Sequence, residues 1–212
     1  MIDQAVQVLK SGGVVVYPTD TAYGLAVDAT NVKAVAKLYR VKGRDFKKPV
    51  HIIFPSTDWL KKLVKLSKSA LVLMNKFLPG PLTLVLPLKA HGKSWQMLSA
   101  GTGNIGVRYP DNSTAQALVE AFGKPITATS ANISGMSVCY SVKAVKKQFE
   151  TRNRLLRRLK ASSQWITAPD YYLDGGKLLK TKPSTVVSLV KGVKIIRIGP
   201  ISETEIKKVL RG

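Results

Sequence analysis

Four short polar segments, each beside an apolar run, contain the side chains of this sequence that are best suited to chemistry. They occupy residues 18–25, 42–44, 130–135 and 183–187. Their hydroxyl and amide groups, with a lysine and an arginine in the second segment, could hold phosphates and carboxylates through many directed hydrogen bonds. The sequence therefore predicts a site for anionic small molecules.

Several other kinds of site are excluded. The chain has no Gly-x-x-x-x-Gly-Lys-Ser/Thr run, so an ATP site here is not a P-loop. With His51 and His91 as the two histidines and Cys139 as the one cysteine, a histidine cluster or a thiolate metal site cannot form. Residues 101–106 match the dinucleotide fingerprint G-x-G-x-x-G, but a strand-like segment follows where that fingerprint requires a helix. We interpret His51 as a core histidine, with a place in a pocket as the alternative.

Length and composition are those of a globular protein. The 212 residues fit one domain, 1–212, with a real core, and the mean hydropathy is +0.03. No apolar run approaches the roughly 20 residues that span a membrane, and the N-terminus has no secretory signal pattern. A single cysteine suits a reducing compartment. We therefore expect a cytoplasmic protein without membrane partners.

The net charge is unusually positive. Lys and Arg total 34 against 12 Asp and Glu, which gives +22. Residues 143–160 hold eight of the basic side chains against one acid, Glu150. An excess of this size predicts a polyanion partner, with tRNA or another structured RNA as the obvious one. The alternative is a solvated basic surface made of a helix face and a loop.

Hydrophobic periodicity alternates between helical and strand patterns, which indicates an α/β protein. Helices are predicted from residue 2 to the glycines at 12–13, after Asn31 through Lys42, at 57–64, at 67–77, at 113–122 and from Ser202 onward. Strands are predicted at 14–17, 50–54, 82–86, 105–108, 126–129, 184–190 and 193–198. In the second helix we expect Val32, Val35, Ala36 and Tyr39 to face inward.

The segments together resemble the YrdC/Sua5 family, the threonylcarbamoyl-AMP synthases of tRNA modification. Five motifs occur in the family's order between about residues 3 and 200. They are Pro-Thr-Asp-Thr-Ala-Tyr-Gly-Leu at 18–25, Lys-Gly-Arg at 42–44 with Lys48-Pro49, Gly-Val-Arg-Tyr-Pro at 106–110, Ser-Ala-Asn-Ile-Ser-Gly at 130–135, and Pro-Ser-Thr-Val at 183–186 with Arg197-x-Gly199. The sequence departs from the family at Asp45, where many members have proline. An acid there could pair with Arg44.

The resemblance implies a YrdC-like single domain, in which helices flank a twisted mixed sheet with a basic concave cavity. It implies that ATP, L-threonine and bicarbonate or CO2 form L-threonylcarbamoyladenylate and pyrophosphate, for the t6A37 modification of ANN-decoding tRNAs. Mg²⁺ would accompany ATP without a dedicated protein site. The chain resembles the family's short form, whose product passes to a separate threonylcarbamoyl-transferase complex. The rival interpretation is a YrdC-like RNA-binding protein, a tRNA or rRNA maturation factor without catalysis.

The resemblance also implies roles for individual residues. Lys42 and Arg44 are expected to be catalytic, Arg44 as a planar bidentate donor and Lys42 as a mobile point charge. The residues expected to bind L-threonine are Thr21, Arg108, Asn112, Ser130 and Ser184. Those expected to bind ATP are Arg44, Lys48, Asn132, Tyr140 and Arg197. Asp20 is interpreted as structural, with a role near magnesium left open.

Overall fold

A computed structural model describes residues 1–160, 162 and 167–211. Within these residues eight helices and nine strands follow one another along the chain. The helices are α1 (Ile2–Lys10), α2 (Val32–Lys42), α3 (Thr57–Leu63), α4 (Lys68–Phe77), α5 (Lys93–Leu98), α6 (Ser113–Phe122), α7 (Val142–Arg158) and α8 (Glu203–Arg211). The strands are β1 (Val15–Tyr17), β2 (Gly24–Ala26), β3 (His51–Ile53), β4 (Leu82–Pro87), β5 (Asn104–Arg108), β6 (Ile126–Ser130), β7 (Tyr171–Tyr172), β8 (Thr185–Ser188) and β9 (Lys194–Arg197).

The strands form one mixed sheet in the order β7-β1-β2-β6-β3-β5-β4-β8-β9. The pairs β1–β7, β3–β5 and β4–β8 are parallel. The other neighbours are antiparallel. The α/β class expected from the periodicity is therefore confirmed, and the mixed sheet has helices on both faces.

Alternate strand residues face two different apolar layers. Val15 and Tyr17 pack in the layer that contains α1 and α6, whereas Val14 and Val16 pack with the remaining helices. Successive side chains of a strand point to opposite faces of its sheet. Both faces are therefore covered here, which explains why 14–17 is apolar at every position rather than at every second one.

Most of the predicted elements are present, and the exceptions have physical reasons. The segments β2, α5 and β7 were not expected, because each is short and β2 lies inside a polar motif that predicts a turn. Helix α7 was also not among the predicted helices, since a helix face in the basic tract was considered only as an alternative to an RNA contact. The inward face of α2 was partly wrong, since Val32 is 38% exposed while Ala34 and Leu38 are buried. Val32 is in the first turn of the helix, before the helix reaches the sheet.

Helix α7 contains the basic tract. Its inward residues are Val142, Val145 and Phe149, and most of its charged side chains face outward. Arg152 is an exception, since its guanidinium donates to the carbonyl oxygen of Val41 at 2.5 Å and to Thr167. None of the helices in the described residues is long and apolar enough to cross a membrane.

Capping residues fix the ends of the helices that carry site motifs. Asn31 accepts hydrogen bonds from the backbone nitrogens of Lys33 and Ala34 at 3.0 and 3.2 Å, which starts α2. Gly43 then ends the helix in the left-handed conformation, with φ of 61°. The sharp turn separates Lys42 inside the helix from the arginine two residues later. The capping box expected at Ser202 is also confirmed by its reciprocal bonds with Glu205.

We expect Asn31→Ala to lower the free energy of unfolding by about 1 kcal/mol, because two backbone donors at the start of α2 lose their acceptor. Urea denaturation of the wild type and the variant measures the change. Lys33→Ala removes an exposed side chain from the same turn and serves as the control. An equal effect of the two substitutions would contradict a capping role.

Candidate active site

The candidate site is a cavity of about 270 Å³ on the sheet face that α1 and α6 only partly cover. Ile53 packs in the layer of these two helices, and His51, two residues earlier on β3, faces the same side and reaches the cavity. The polar lining residues are Tyr17, Thr19, Thr21, Tyr23, Arg44, His51, Arg108, Thr129, Ser130, Tyr140, Thr181, Ser184 and Arg197. The cavity thus gathers the ends of strands from across the sheet.

The loop between β1 and β2 supplies a rigid wall of threonine hydroxyls. Thr19 donates its hydroxyl to the carbonyl oxygen of Ala22 at 2.6 Å and accepts from the backbone nitrogens of Thr21 and Ala22. These bonds are the turn chemistry that a threonine at this point of a loop provides. Thr181 donates to the carbonyl oxygen of Thr21 at 3.2 Å and so joins a distant segment to the same wall.

Arg108 ends β5 and is held by Asp20. The two side chains form a buried ion pair, and the guanidinium also donates to the Thr21 hydroxyl at 3.4 Å. Two atoms of the pair, Arg108 Nε and Asp20 Oδ2, are buried without a hydrogen-bond partner among the described residues. Buried polar atoms are normally satisfied. The ion pair therefore fixes the Arg108 guanidinium at the cavity wall, although one donor and one acceptor of the pair have no partner among these residues.

Arg197 is the second guanidinium of the cavity, and Ser184 orients it. Its Nε and Nη2 donate to the Ser184 carbonyl oxygen at 3.1 and 2.8 Å, and Nη2 also approaches the serine hydroxyl at 3.3 Å. The hydroxyl is in turn 2.9 Å from that of Thr83. Burial lowers the pKa of Arg197, and the charge of Arg108 lowers it further. Two like charges thus face one space without a carboxylate between them.

The third guanidinium of the cavity belongs to Arg44. Its hydrogen bonds go to backbone oxygens and not to Asp45, the acid that could have paired with it. Arg44 donates to the carbonyl oxygens of Lys48 and Pro49 at 3.3 and 2.9 Å. Asp45 instead accepts a hydrogen bond from the backbone nitrogen of Lys47 at 2.9 Å. The acid therefore shapes the loop, and Arg44 lines the cavity.

Lys42 has a different place from the one expected. Its side chain is buried, and its ammonium donates to the Ser130 carbonyl oxygen and to both oxygens of Asn132, the latter two at 3.0 Å. Burial and, to a lesser extent, the charge of Arg44 lower the pKa of Lys42 to about 7. The Lys42 side chain therefore holds residues 130–132 in place through these hydrogen bonds. It is not among the side chains that line the cavity.

Three other predicted ligands also lie outside the cavity lining. Asn132 is buried, and its amide nitrogen donates to the carbonyl oxygens of Ile133 and Met136, so its side chain shapes the loop. Asn112 caps α6 by accepting from a backbone nitrogen at 3.1 Å. Lys48 extends into solvent. The family resemblance implied that these residues bind substrates, but local backbone groups compete for the amide side chains of Asn112 and Asn132.

The structure brings together Thr21, Arg44, Arg108, Ser130, Tyr140, Ser184 and Arg197 around one space. It adds six polar residues that had not been assigned to the site, namely Tyr17, Thr19, Tyr23, His51, Thr129 and Thr181. The interpretation of His51 as a core residue is corrected in favour of the alternative, a place in a pocket, because His51 lines the cavity. Its pKa is lowered to about 4 by burial and then by the charges of Arg108, Arg197 and Arg44. Strand alternation counted back from Ile53 could have revealed this orientation.

The arrangement can bind an anion with several oxygens. Three guanidiniums face the cavity together with threonine and serine hydroxyls, and no Asp or Glu is among the residues that line it. Guanidiniums bind carboxylates and phosphates through paired hydrogen bonds. Positive charge preorganised in a partly enclosed space can also stabilise negative charge that develops during phosphoryl chemistry.

Comparison with known proteins assigns the family. The model of the Sua5/YciO/YrdC family, described as telomere recombination, matches residues 7–199. The chain belongs to this family. The suspected YrdC/Sua5 resemblance is therefore confirmed, and the match spans all the motifs that surround the cavity.

Relatives within the Sua5/YciO/YrdC family are named for one activity. A threonylcarbamoyl-AMP synthase of Bacillus subtilis is 40% identical over 135 residues, which are 63% of this chain and 39% of that protein. A putative threonylcarbamoyl-AMP synthase of Methanocaldococcus jannaschii is 34% identical over 190 residues, 90% of this chain and 80% of that protein. The crystal structure of Pyrococcus abyssi Sua5 complexed with L-threonine matches 99% of this chain and 57% of that chain, with a TM-score of 0.85 and 31% identity.

The low pKa of Lys42 predicts that the free energy of unfolding rises with pH. Because its pKa falls from 10.5 to about 7 on folding, the unfolded chain binds a proton between these pH values that the folded protein lacks. The free energy of unfolding therefore rises with pH in this window, on the order of 2 kcal/mol from about pH 7 to 9. Lys42→Met should lose this rise, whereas Lys33→Met, at an exposed position, should keep it. Chemical denaturation at both pH values measures the difference, and identical profiles for all three proteins would contradict the assignment.

Proposed function

We propose that this chain is a threonylcarbamoyl-AMP synthase, which joins L-threonine, bicarbonate or CO2, and ATP to form L-threonylcarbamoyladenylate and pyrophosphate. The observation that carries the proposal is the convergence of Arg44, Arg108 and Arg197 with hydroxyl side chains on one cavity. That cavity lies in a chain of the Sua5/YciO/YrdC family. The named synthases among its relatives and the L-threonine complex of Pyrococcus abyssi Sua5 support the same activity.

The chemistry requires positioning more than covalent help. The threonine amine captures CO2 as a carbamate, and a carbamate oxygen then attacks the α-phosphorus of ATP while pyrophosphate leaves. Holding both reactants in line and neutralising the charge that develops supply most of the acceleration in such reactions. A cavity with three guanidiniums and several hydroxyls meets both requirements.

We assign roles to the cavity residues on this basis. The Arg108 and Thr21 side chains would hold the threonine carboxylate, because they lie together at 3.4 Å and Asp20 orients the guanidinium. Arg44 and Arg197 would neutralise the triphosphate, and the Ser130 and Ser184 hydroxyls would orient the substrates. Lys42 and Asn132, expected to touch substrates, are better suited to hold the Ser130 loop in place.

Mg²⁺ would enter this site with ATP. Within the described residues no group of three or more His, Cys, Asp or Glu side chains could hold a metal ion. Asp20 is buried in its pair with Arg108 and is not among the residues that line the cavity. The described residues therefore fit a metal ion that is held by the phosphates of ATP. Bound there, Mg²⁺ would offset the negative charge of the phosphate oxygens.

We further propose that tRNA or another structured RNA binds the exposed face of α7. Lys143, Lys147 and Arg154 are exposed on this helix, and the whole chain has a net charge of +22. The product would serve t6A37 formation in ANN-decoding tRNAs through a separate transferase complex, in the cytoplasm. The rival function is that of an RNA-binding protein without catalysis. The same net charge supports it, but it does not explain why three arginines line the cavity.

Pyrophosphate release by the purified protein should require threonine and bicarbonate together, because the carbamate is the nucleophile. The measurement is pyrophosphate formed from ATP with both present, with each omitted, and with serine or glycine in place of threonine. ATP turnover that is unaffected by omission of either compound would exclude the synthase and favour the RNA-binding alternative.

Arg44→Ala and Arg197→Ala should each lower kcat/KM by roughly 10- to 150-fold, since each removes a charge-assisted contact worth on the order of 1.5–3 kcal/mol. Arg40→Ala is the matched control, because Arg40 is an exposed arginine on α2 four residues before Arg44. Steady-state kinetics of the three variants provide the comparison. Equal decreases in all three would mean that the cavity arginines act only through net charge.

RNA binding should weaken steeply with salt, because binding to phosphates releases counterions. Replacing Lys143, Lys147 and Arg154 by alanine should reduce the slope of log affinity against log salt by about 0.9 for each phosphate that the variant no longer neutralises. The control replaces Lys62, Lys65 and Lys68, which are exposed elsewhere and carry the same total charge. Equal slopes for the two triple variants would exclude α7 as the RNA surface, while pyrophosphate formation should remain unchanged in both.

A further inference from the structure

His51 is a titratable side chain that the proposed roles leave unused. It is the first residue of β3, opposite Ala128 of β6 and beside Gly106 of β5. A methyl group at position 106 would come within 3.0 Å of three ring atoms of His51, namely Cδ2, Cγ and Nε2. The imidazole therefore occupies the space that a side chain at position 106 would need, and it lines the cavity.

Among the described residues none makes a hydrogen bond with either imidazole nitrogen of His51. Neither nitrogen is among the buried polar atoms that lack a partner. The nitrogens are therefore accessible from the cavity, where three guanidiniums face the ring. A cation next to these guanidiniums is unfavourable, so the ring is neutral in the empty cavity and can accept a proton.

The proposed reaction releases a proton at this place, and the inference below rests on that proposed function. A neutral amine and CO2 give a carbamate and one proton, and an ammonium and bicarbonate give a carbamate, water and one proton. In either case the nitrogen lone pair forms the bond to carbon, and an N–H proton must leave. A basic side chain close to the amine is needed, because solvent access falls once both substrates fill the cavity.

The other titratable groups around the cavity are poorly placed to accept this proton. Arg44, Arg108 and Arg197 are cations that do not act as bases in proteins. Asp20 is buried in an ion pair with Arg108 and is not among the residues that line the cavity. The ammonium of Lys42 already donates to acceptors of the Ser130 loop.

The tyrosines at the cavity are also unsuitable, since a neutral phenol is a weak base. Tyr17 donates its hydroxyl to the Thr127 carbonyl oxygen at 3.2 Å, and burial raises its pKa. Tyr23 donates toward Gly176 at 2.7 Å, and burial raises its pKa as well. Tyr140 also lines the cavity and is likewise a phenol.

We propose that His51 is the proton acceptor of carbamate formation, with an imidazole nitrogen taking the proton that the threonine amine loses as its nitrogen bonds to carbon. The charge state of the ring then follows the filling of the cavity. Burial is the larger cause of the low pKa of His51, and the charges of the three arginines add to it. Carboxylate and triphosphate offset those charges, so the pKa of His51 rises above about 4 when substrates bind. The ring is neutral while the site is empty and becomes basic when the reactants are in place.

The test compares kcat for pyrophosphate formation across acidic to mildly alkaline pH in three proteins, namely wild type, His51→Asn and His91→Asn. His91 is the other histidine of the chain and is exposed, so its replacement is the matched control. We expect His51→Asn to lower kcat by roughly 100-fold or more, the usual contribution of a general base. Its KM for ATP should be little changed, and it should lose the acidic limb of the pH profile. His91→Asn should match the wild type.

A second measurement separates proton transfer from a structural role. In His51→Ala, added imidazole should restore part of kcat, and more basic imidazoles should restore more. Gly106→Ala, which forces the ring from its place, should lower kcat in a protein that retains His51. Calorimetric binding of threonine to each variant verifies that the cavity is intact.

The outcomes distinguish the two proposals. A wild type that forms no pyrophosphate from ATP, threonine and bicarbonate overturns the synthase and the role of His51 together. An active wild type with an equally active His51→Asn and an unchanged pH profile overturns the role of His51 alone. Loss of activity without rescue by imidazole, in a variant that still binds threonine, also overturns proton transfer and leaves His51 as a packing residue.

Discussion

The ammonium of Lys42 joins two motifs that are 88 residues apart in the chain, since it bonds to the Ser130 carbonyl oxygen and to Asn132 at the end of β6. The loop returns the contact, because the backbone nitrogen of Ser134 donates to the Lys42 carbonyl oxygen at 2.8 Å. A buried cation needs such compensation, and here neutral oxygens provide it. The end of α2 and the loop after β6 are therefore fixed as one unit, which determines where Arg44 enters the cavity.

The second constraint is the concentration of positive charge. Arg44, Arg108 and Arg197 face one cavity, and Asp20 pairs with just one of them. Mutual repulsion raises the free energy of this empty site, and an entering anion relieves it. Burial keeps His51 neutral, and the same positive field adds to this effect. Substrate binding and the protonation of this ring are therefore coupled through the charges that bind the substrate.

The loop after β6 also connects the cavity with the basic helix. Gln148 of α7 accepts from the backbone nitrogen of Ile133 at 3.2 Å and donates to the Ser137 carbonyl oxygen at 2.7 Å. Its neighbours Lys147 and Glu150 are exposed on the outer side of the helix. The inner side of α7 thus holds the loop after β6 in place. Its outer side is exposed and is the surface for the polyanion that the positive charge of the helix predicts.

The sequence by itself determined the elements and the motifs, because caps such as Asn31, turn glycines such as Gly43 and apolar periodicity are local properties. The direction of each polar side chain depended on contacts across the sheet. Lys42 turned inward because acceptors of a distant loop surround it. His51 lines the cavity in space left by Gly106 of β5. The directions of these side chains are decided by the tertiary structure, since they depend on contacts with residues that are far away in the chain.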